Sequence, residues 1–504
     1  MKIAIIGTGP SAIAALEELV NTKNQIYIFD IGKNLPEKNL GIKNILREKD
    51  PTSWTNKQYK IITKNPSVKK SLIPKKTIFG SEYPYFYDKN IQLNHVNCYA
   101  SQAKGGFFNV WGAAMLPMYE NDMRDWPIKQ SDLSIYYKKI LDVIPYSFKN
   151  DGLTRFFSTF NKKSSAIKIP NQAHNLIRSI NNLNSQKIFC GQSRLAIYQN
   201  GEKKCRYCGT CLTGCVYDSI YNSLDHLNIL LEKENVIYRD DTEVLKYSEN
   251  DNKVKIFFKG SQNKKGFDIF DKVFIGAGPL NTAKIVINSN KNINEVIFSD
   301  SQKFIIPIIT FDKLDIGIKK ISSLCTIFLE YIFNKKSIVH MQVSHYNDLL
   351  KQKIPSLIEP YISFFTKRLL IGWCGINSKY SHKIHLFKKN NKFFAIKKKN
   401  NGTYLYIFQF SLIFFLKMLR IGRLSSPFPF IADVGGGNHF GASFPMKKKP
   451  TKSNETDING KLIDHKNVYL IDSSVLPNIP STTLAFTTMA NSKRIINNVL
   501  KQKN

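Results

Sequence analysis

Three groups of residues in this 504-residue chain have the types and spacing for chemistry. The first is Cys205, Cys208, Cys211 and Cys215, spaced C-x2-C-x2-C-x3-C, with Gly209 and Gly214 between them to permit tight turns. This is the spacing of a bacterial ferredoxin run, in which closely set thiolates wrap a cubane. It predicts a [4Fe-4S] or [3Fe-4S] cluster. Zinc and a metal-free cysteine segment are the alternatives, since Val216 replaces the usual proline and no second run exists. The second group centres on His439 in the glycine-rich stretch GGGNHFG, where the backbone leaves room for a substrate beside the imidazole. A loop histidine that only bonds backbone is the alternative reading. The third is the turn Gly7-Thr8-Gly9-Pro10-Ser11-Ala12, which has the form of a dinucleotide fingerprint.

The elements around this turn must position a nucleotide. Lys2–Ile6 reads as a buried strand, Ala12–Val20 as an apolar-faced helix, and Gln25–Phe29 as a second strand ending on Asp30. Gly7 permits the tight turn, Gly9 admits a pyrophosphate to the backbone N–H groups, and Ala12 allows close helix packing. The helix start at Ser11 and Ala12 faces the phosphates, and Asp30 would accept from a ribose diol. This unit alone leaves FAD and NAD open. Three later segments favour the longer, two-part ligand. Gly105 and Gly106, with Asn109 and Trp111 close behind, describe backbone lying flat against a large planar group. The strand Lys272–Ile275 breaks at Gly276, Ala277 and Gly278 before a helix, like a later strand of the same sheet. A strand ending on Asp472, followed by Ser/Thr cap candidates opening the last helix, brings a positive helix end to where reduced flavin carries charge.

The bulk properties fit a globular enzyme. Lys+Arg of 73 against Asp+Glu of 38 gives +35, but the lysines are scattered among asparagines, so a general lysine bias is preferred and no nucleic-acid partner is expected. Met1 runs directly into the first strand, so a cytoplasmic chain is expected. The apolar run Tyr404–Leu416 is too short for a bilayer span and reads as a core helix or strand; Lys417, Arg420 and Arg423 after it leave open a peripheral contact with the inner face of a membrane. The expected fold is α/β: a Rossmann-like FAD-binding domain, discontinuous in sequence, plus an α+β substrate domain with a mixed or antiparallel sheet. Residues 1–299 would form most of the FAD-binding domain, with a Cys-rich insertion near 190–225. Residues 300–430 would form the substrate domain, and 431–504 would return to the first with the histidine loop. Hairpins are expected from Val236–Tyr247 with Lys253–Phe258 and around Ile384–Ile396. His340, His345, His382 and His385 are expected to be structural or solvent-facing.

In the same order along the chain, these motifs resemble the glucose–methanol–choline (GMC) type FAD oxidoreductases, most weakly over Ile31–Leu93 and Asp300–Pro429. GTGPSA with Asp30 is similar to the family's FAD fingerprint, which more often ends on Glu. GGFFNVWG resembles its isoalloxazine loop; Val110 stands near the flavin-linked histidine of some members, so the FAD would be non-covalent. VFIGAGPLNTAKI resembles a further family segment, with Ala283 in place of Pro. HFGASFPM puts His439 on the catalytic base, VYLIDSSVLP puts Asp472 near the ribityl chain, and Thr483 falls where the family has a second catalytic His or Asn. Thr483 can donate a hydrogen bond but cannot act as a base near neutral pH. The resemblance implies oxidation of a hydroxyl of a sugar or other alcohol, anionic if the chain's charge is a guide. Electrons would leave through the cysteine cluster to an acceptor protein or quinone. A flavin/iron–sulfur reductase fed by ferredoxin, and a flavoprotein subunit that only relays electrons or scaffolds a partner, are the alternatives.

Overall fold

The computed structural model describes residues 1–64, 75–157, 165–314, 320–334, 337–347 and 358–501. It is a mixed α/β structure with one parallel sheet, one mixed sheet and several antiparallel ones. Lys2–Ile6 is apolar on both sides, with Ile3 to Ile6 no more than 4% exposed, as a strand covered on both faces must be. It pairs in parallel with Gln25–Phe29 and with Lys272–Ile275. Val236–Arg239 and Val468–Leu470 complete the sheet at its two edges. The sheet therefore draws on both ends of the chain, and its helices tie those ends together. Ser492 of helix Ala485–Lys501 donates to the Ser11 carbonyl of helix Pro10–Leu19 at 2.7 Å, and Lys493 pairs with Glu17 and Glu18.

Glu243–Asn250, Lys253–Lys259 and Lys265–Phe270 form a separate antiparallel meander. The expected hairpin from Val236 is thus two elements. Asp241 adopts φ +45°, and Thr242 N–H bonds the Asp30 carbonyl at 2.9 Å, which breaks the strand after Arg239. The expected hairpin around Ile384–Ile396 is present as Lys383–Lys389 with Lys392–Lys398, inside a five-stranded sheet that also holds Glu295–Asp300, Phe440–Gly441 and Ile91–Asn94.

The largest sheet runs in the order Leu424–Ser425, Lys303–Ile309, Leu369–Ile376, Ser337–His345, Ile327–Asn334 and Ile188–Gln192, with antiparallel neighbours. Directly opposed residues share a face and successive residues alternate, so register sorts this sheet into two surfaces. Phe304, Cys374, Met341 and Leu329 lie in one row on one surface; Lys303, Gly375, His340 and Glu330 lie in the adjoining row on the other. Helix Thr403–Arg420, which contains the apolar run noted in the sequence, covers the first surface. The Phe410 ring packs 6.0 Å from Phe304, 5.5 Å from Tyr331 and 5.7 Å from Phe333, centroid to centroid. No helix among the described residues is long and apolar enough to cross a membrane. Because Phe410 is fully buried at the centre of this helix–sheet contact, Phe410→Ala should lower unfolding free energy by about 3–5 kcal/mol in denaturant titration, and a loss under about 1 kcal/mol would contradict the packing described.

Candidate active site

The nucleotide end is built by backbone touching backbone. Gly7 (φ +97°) lies so close to the end of the neighbouring strand that a Cβ there would sit 2.8 Å from the Gly276 carbonyl oxygen. Gly106 (φ +59°) crosses over the same turn, where a Cβ would meet Gly9 Cα at 3.2 Å. The Gly105 N–H donates to Thr8 Oγ1 at 2.9 Å, and that hydroxyl donates in turn to Asp30. Asn109 staples the second loop by donating to the Lys104 and Gly106 carbonyls at 2.9 and 2.8 Å. Asp30 is pushed up to about 6, chiefly by burial, against hydrogen bonds from Thr8, Gly32, Tyr238 and Ile31 that favour its charged form. Asp472 caps the turn Ser473–Val475, accepting from Ser474 N at 2.9 Å and from Thr282 Oγ1 at 2.5 Å.

From this end a cavity of about 470 Å³ runs to the second surface of the large sheet. There His340 lines the cavity, and its Nδ1 lies 2.6 Å from Glu330 Oε1. With Glu330 ionised, the carboxylate can only accept, so Nδ1 carries a proton, and Nε2 lies 3.1 Å from the Gln342 amide nitrogen. Burial raises the Glu330 carboxyl, while His340 and the Arg194 guanidinium pull it back. Gly375 separates Lys303 from His340 in the row because no side chain fits: a Cβ would meet Lys303 Nζ at 2.6 Å and the Ser481 carbonyl at 2.7 Å.

His439 lines the same cavity from its glycine loop, held there by Ser301 N–H on its carbonyl at 3.0 Å. Gly437 packs on the Lys303 stem, where a Cβ would come within 2.5 Å of Lys303 Cγ. Burial, then the charge of Lys303, then His340, hold His439 well below the usual imidazole range, and its buried Nδ1 has no partner among the described residues. Lys303 itself is lowered to about 8, by burial first. Lys76 is also lowered, by burial first, and also lines the cavity. Thr483 Oγ1 is buried there without a partner among the described residues.

The cavity brings together Gly7, Gly9, Ser11, Asp30, Gly106, Ala277, Gly278, Asp472, His439 and Thr483; Ala12, Gly105 and Asn109 stand behind its wall. The cysteine expectation finds no support in the structure. Among the described residues no three His, Cys, Asp or Glu side chains converge to hold a metal ion. Cys208 Sγ lies 3.2 Å from Thr210 Oγ1, Cys211 Sγ lies 3.6 Å from Ser322 Oγ, and Cys215 Sγ accepts from Ser219 N–H at 3.2 Å. The four thiols still lie near one another: Cys205 is raised by burial first and then by Cys211, Cys215 and Cys208. His340, expected to be structural or solvent-facing, is buried on the cavity wall against Glu330. The signal was there in FLEYIF and IVHMQVS, polar residues set at single positions within apolar strands. His345, whose Nε2–H donates to the Ser322 carbonyl, and His382, accepting from Asn400 N–H, sit in local hydrogen bonds, and His385 pairs with Glu295 at the surface.

The close-approach glycines, the open helix start at Gly9 and Pro10 and the acid at the end of the second strand fit FAD: Gly7, Gly9, Ser11 and Asp30 would hold its adenosine and pyrophosphate, and Gly106, Gly278 and Asp472 the part beyond. No family model matches the chain, and no curated protein matches it by sequence. Its fold is similar to the crystal structure of pyridoxine 4-oxidase from Mesorbium loti, with a TM-score of 0.60, 11% sequence identity, and 99% of both chains covered. At that identity the likeness is one of fold.

Because Asp30 binds its proton more tightly folded than unfolded, the stability it contributes to the apoprotein is complete below 3.8 and is lost as pH rises through about 6. Asp30→Asn should remove roughly 3 kcal/mol of that pH dependence in denaturant unfolding between about pH 4 and pH 7. The substitution should also weaken FAD binding; an unchanged pH slope with unchanged FAD affinity would contradict the placement of Asp30.

Proposed function

We propose that this chain is an FAD-dependent oxidoreductase that oxidises a hydroxyl group of a sugar or other alcohol carrying an acidic substituent. The observation that carries this reading is the pair of histidines, His439 and His340, facing one cavity that runs back to the nucleotide turn. FAD bound there supplies a two-electron acceptor for the hydride leaving the alcohol carbon.

The chain's own residues handle the proton. The resemblance assigns the base to His439, and the surroundings divide the work. His439, neutral through burial and the nearby Lys303, donates a ring N–H to the hydroxyl oxygen and orients it. His340 takes the hydroxyl proton at Nε2, where the substrate hydroxyl replaces the Gln342 amide, because its Nδ1–H is tied to Glu330 and the positive charge that forms on the ring is met by that carboxylate. Thr483 donates one hydrogen bond to the substrate oxygen. Lys76 and Lys303, both half-buried on the cavity wall, supply positive charge toward an acidic substituent, Lys303 sharing its charge with the nearby Asp300 carboxyl.

Rapid mixing of the FAD-loaded protein with substrate tests this division. His340→Asn and His439→Ala should each slow flavin reduction by about 100-fold or more, and Glu330→Gln by about tenfold or more, with the bound-flavin spectrum retained. Unchanged reduction in the His340 and Glu330 variants would remove that pair from the chemistry and leave His439 as sole base.

A further inference from the structure

Helix Thr403–Arg420 spends one face on the substrate sheet and leaves the other bare. Ile407, Phe410, Phe414 and Met418 are fully buried at helical spacing. On the opposite side Tyr404, Leu405, Phe408, Leu412, Leu416 and Leu419 are 41–59% exposed, positions where a helix facing water carries polar groups. The patch continues past the helix end. Phe428 is 71% exposed with its ring 6.3 Å from Phe408, Phe430 lies two residues on, and Phe311 is 76% exposed under the Arg423 guanidinium. Helix Glu359–Thr366, joined to the Phe311 segment through the Thr310 N–H to Arg368 carbonyl bond, adds the exposed Tyr361, Phe364 and Phe365.

The charges at this face have one sign. No Asp or Glu occurs between Glu359 and Asp433, whereas Lys417, Arg420 and Arg423 close the helix and Lys367 and Arg368 close its neighbour. Asp312, paired with Arg423 at 3.1 Å, is the acid that reaches the patch from another segment. A two-fold contact with a second copy would set these cations against themselves with little to offset them. An anionic lipid surface offsets Lys417, Arg420, Lys367 and Arg368, Arg423 being paired with Asp312, and receives the aromatic and leucine side chains below its headgroups. The 18-residue helix spans about 27 Å, and its other face is committed to the sheet, so it can lie in the plane of the interface but cannot leave the protein to cross a bilayer.

We propose that the outer face of helix Thr403–Arg420, with Phe311, Phe428 and Phe430, docks the protein on an anionic membrane surface. This docking is independent of the oxidation proposed above and is measured without turnover.

The test is co-sedimentation of the FAD-loaded full chain with vesicles of phosphatidylcholine alone and of phosphatidylcholine with phosphatidylglycerol. Binding to the mixed vesicles is expected, weaker to neutral ones and weakened by salt. Leu405→Glu with Leu412→Glu should cut it at least about tenfold, and Lys417→Gln or Arg420→Gln about fivefold each on anionic vesicles only. Retained flavin absorbance shows that these surface variants fold. Absence of binding to anionic vesicles overturns the proposal. So does a concentration-dependent dimer, seen by light scattering and dispersed by the same glutamates, that leaves no vesicle binding; that result would assign the face to a second copy. Equal binding to neutral and anionic vesicles would overturn the electrostatic half.

Discussion

Two strand ends meet at Gly7 with no side chain between them. The Gly276 carbonyl would lie 2.8 Å from any Cβ at residue 7, and Gly106 closes over Gly9 nearly as tightly. This contact fixes the turn on which the rest depends. It opens the N-terminus of helix Pro10–Leu19 toward the cavity, sets Asp30 beside Thr8, and threads the Gly105–Gly106 loop between the nucleotide turn and the substrate sheet. A methyl group at residue 7 would have to displace backbone, which cannot yield as a side chain can.

The same logic, space left for one group by the absence of another, recurs at the far end. Gly375 makes room for the Lys303 ammonium in the row that holds His340 and Glu330, and Gly437 makes room for the Lys303 stem. Lys303 then acts on the histidines by charge. Burial first, and then Lys303, push His439 toward its neutral form, whereas His340 stands against a carboxylate in a fully buried pair. Two imidazoles in one cavity are thereby given different work by their neighbours.

Much of the nucleotide end was legible in the sequence, because its constraint is local: a glycine turn between a strand and a helix writes itself in consecutive residues, and the acid at Asp30 follows at a fixed offset. His439 and Thr483 were found by motif, and the structure puts them in the same cavity. His340 was missed because its meaning lies in register. Only the pairing of Ile327–Asn334 with Ser337–His345 sets Glu330 opposite it, and only a third and a fourth strand bring Gly375 and Lys303 alongside. The cysteines differ again. Their spacing is local and brings four thiols near one another, but Thr210, Ser322 and Ser219 engage three of them, and no three ligand side chains among the described residues are placed to hold a metal ion.

The account rests on a flavin and an alcohol meeting beside His439 and His340. The measurement that bears on it most directly is the anaerobic absorbance spectrum of the FAD-loaded protein before and after addition of alcohols with and without an acidic group. Bleaching of the flavin band by an acidic alcohol, with no other reductant present, is the expected result. A flavin that stays oxidised with every alcohol, yet bleaches at once with a chemical reductant, would contradict the account.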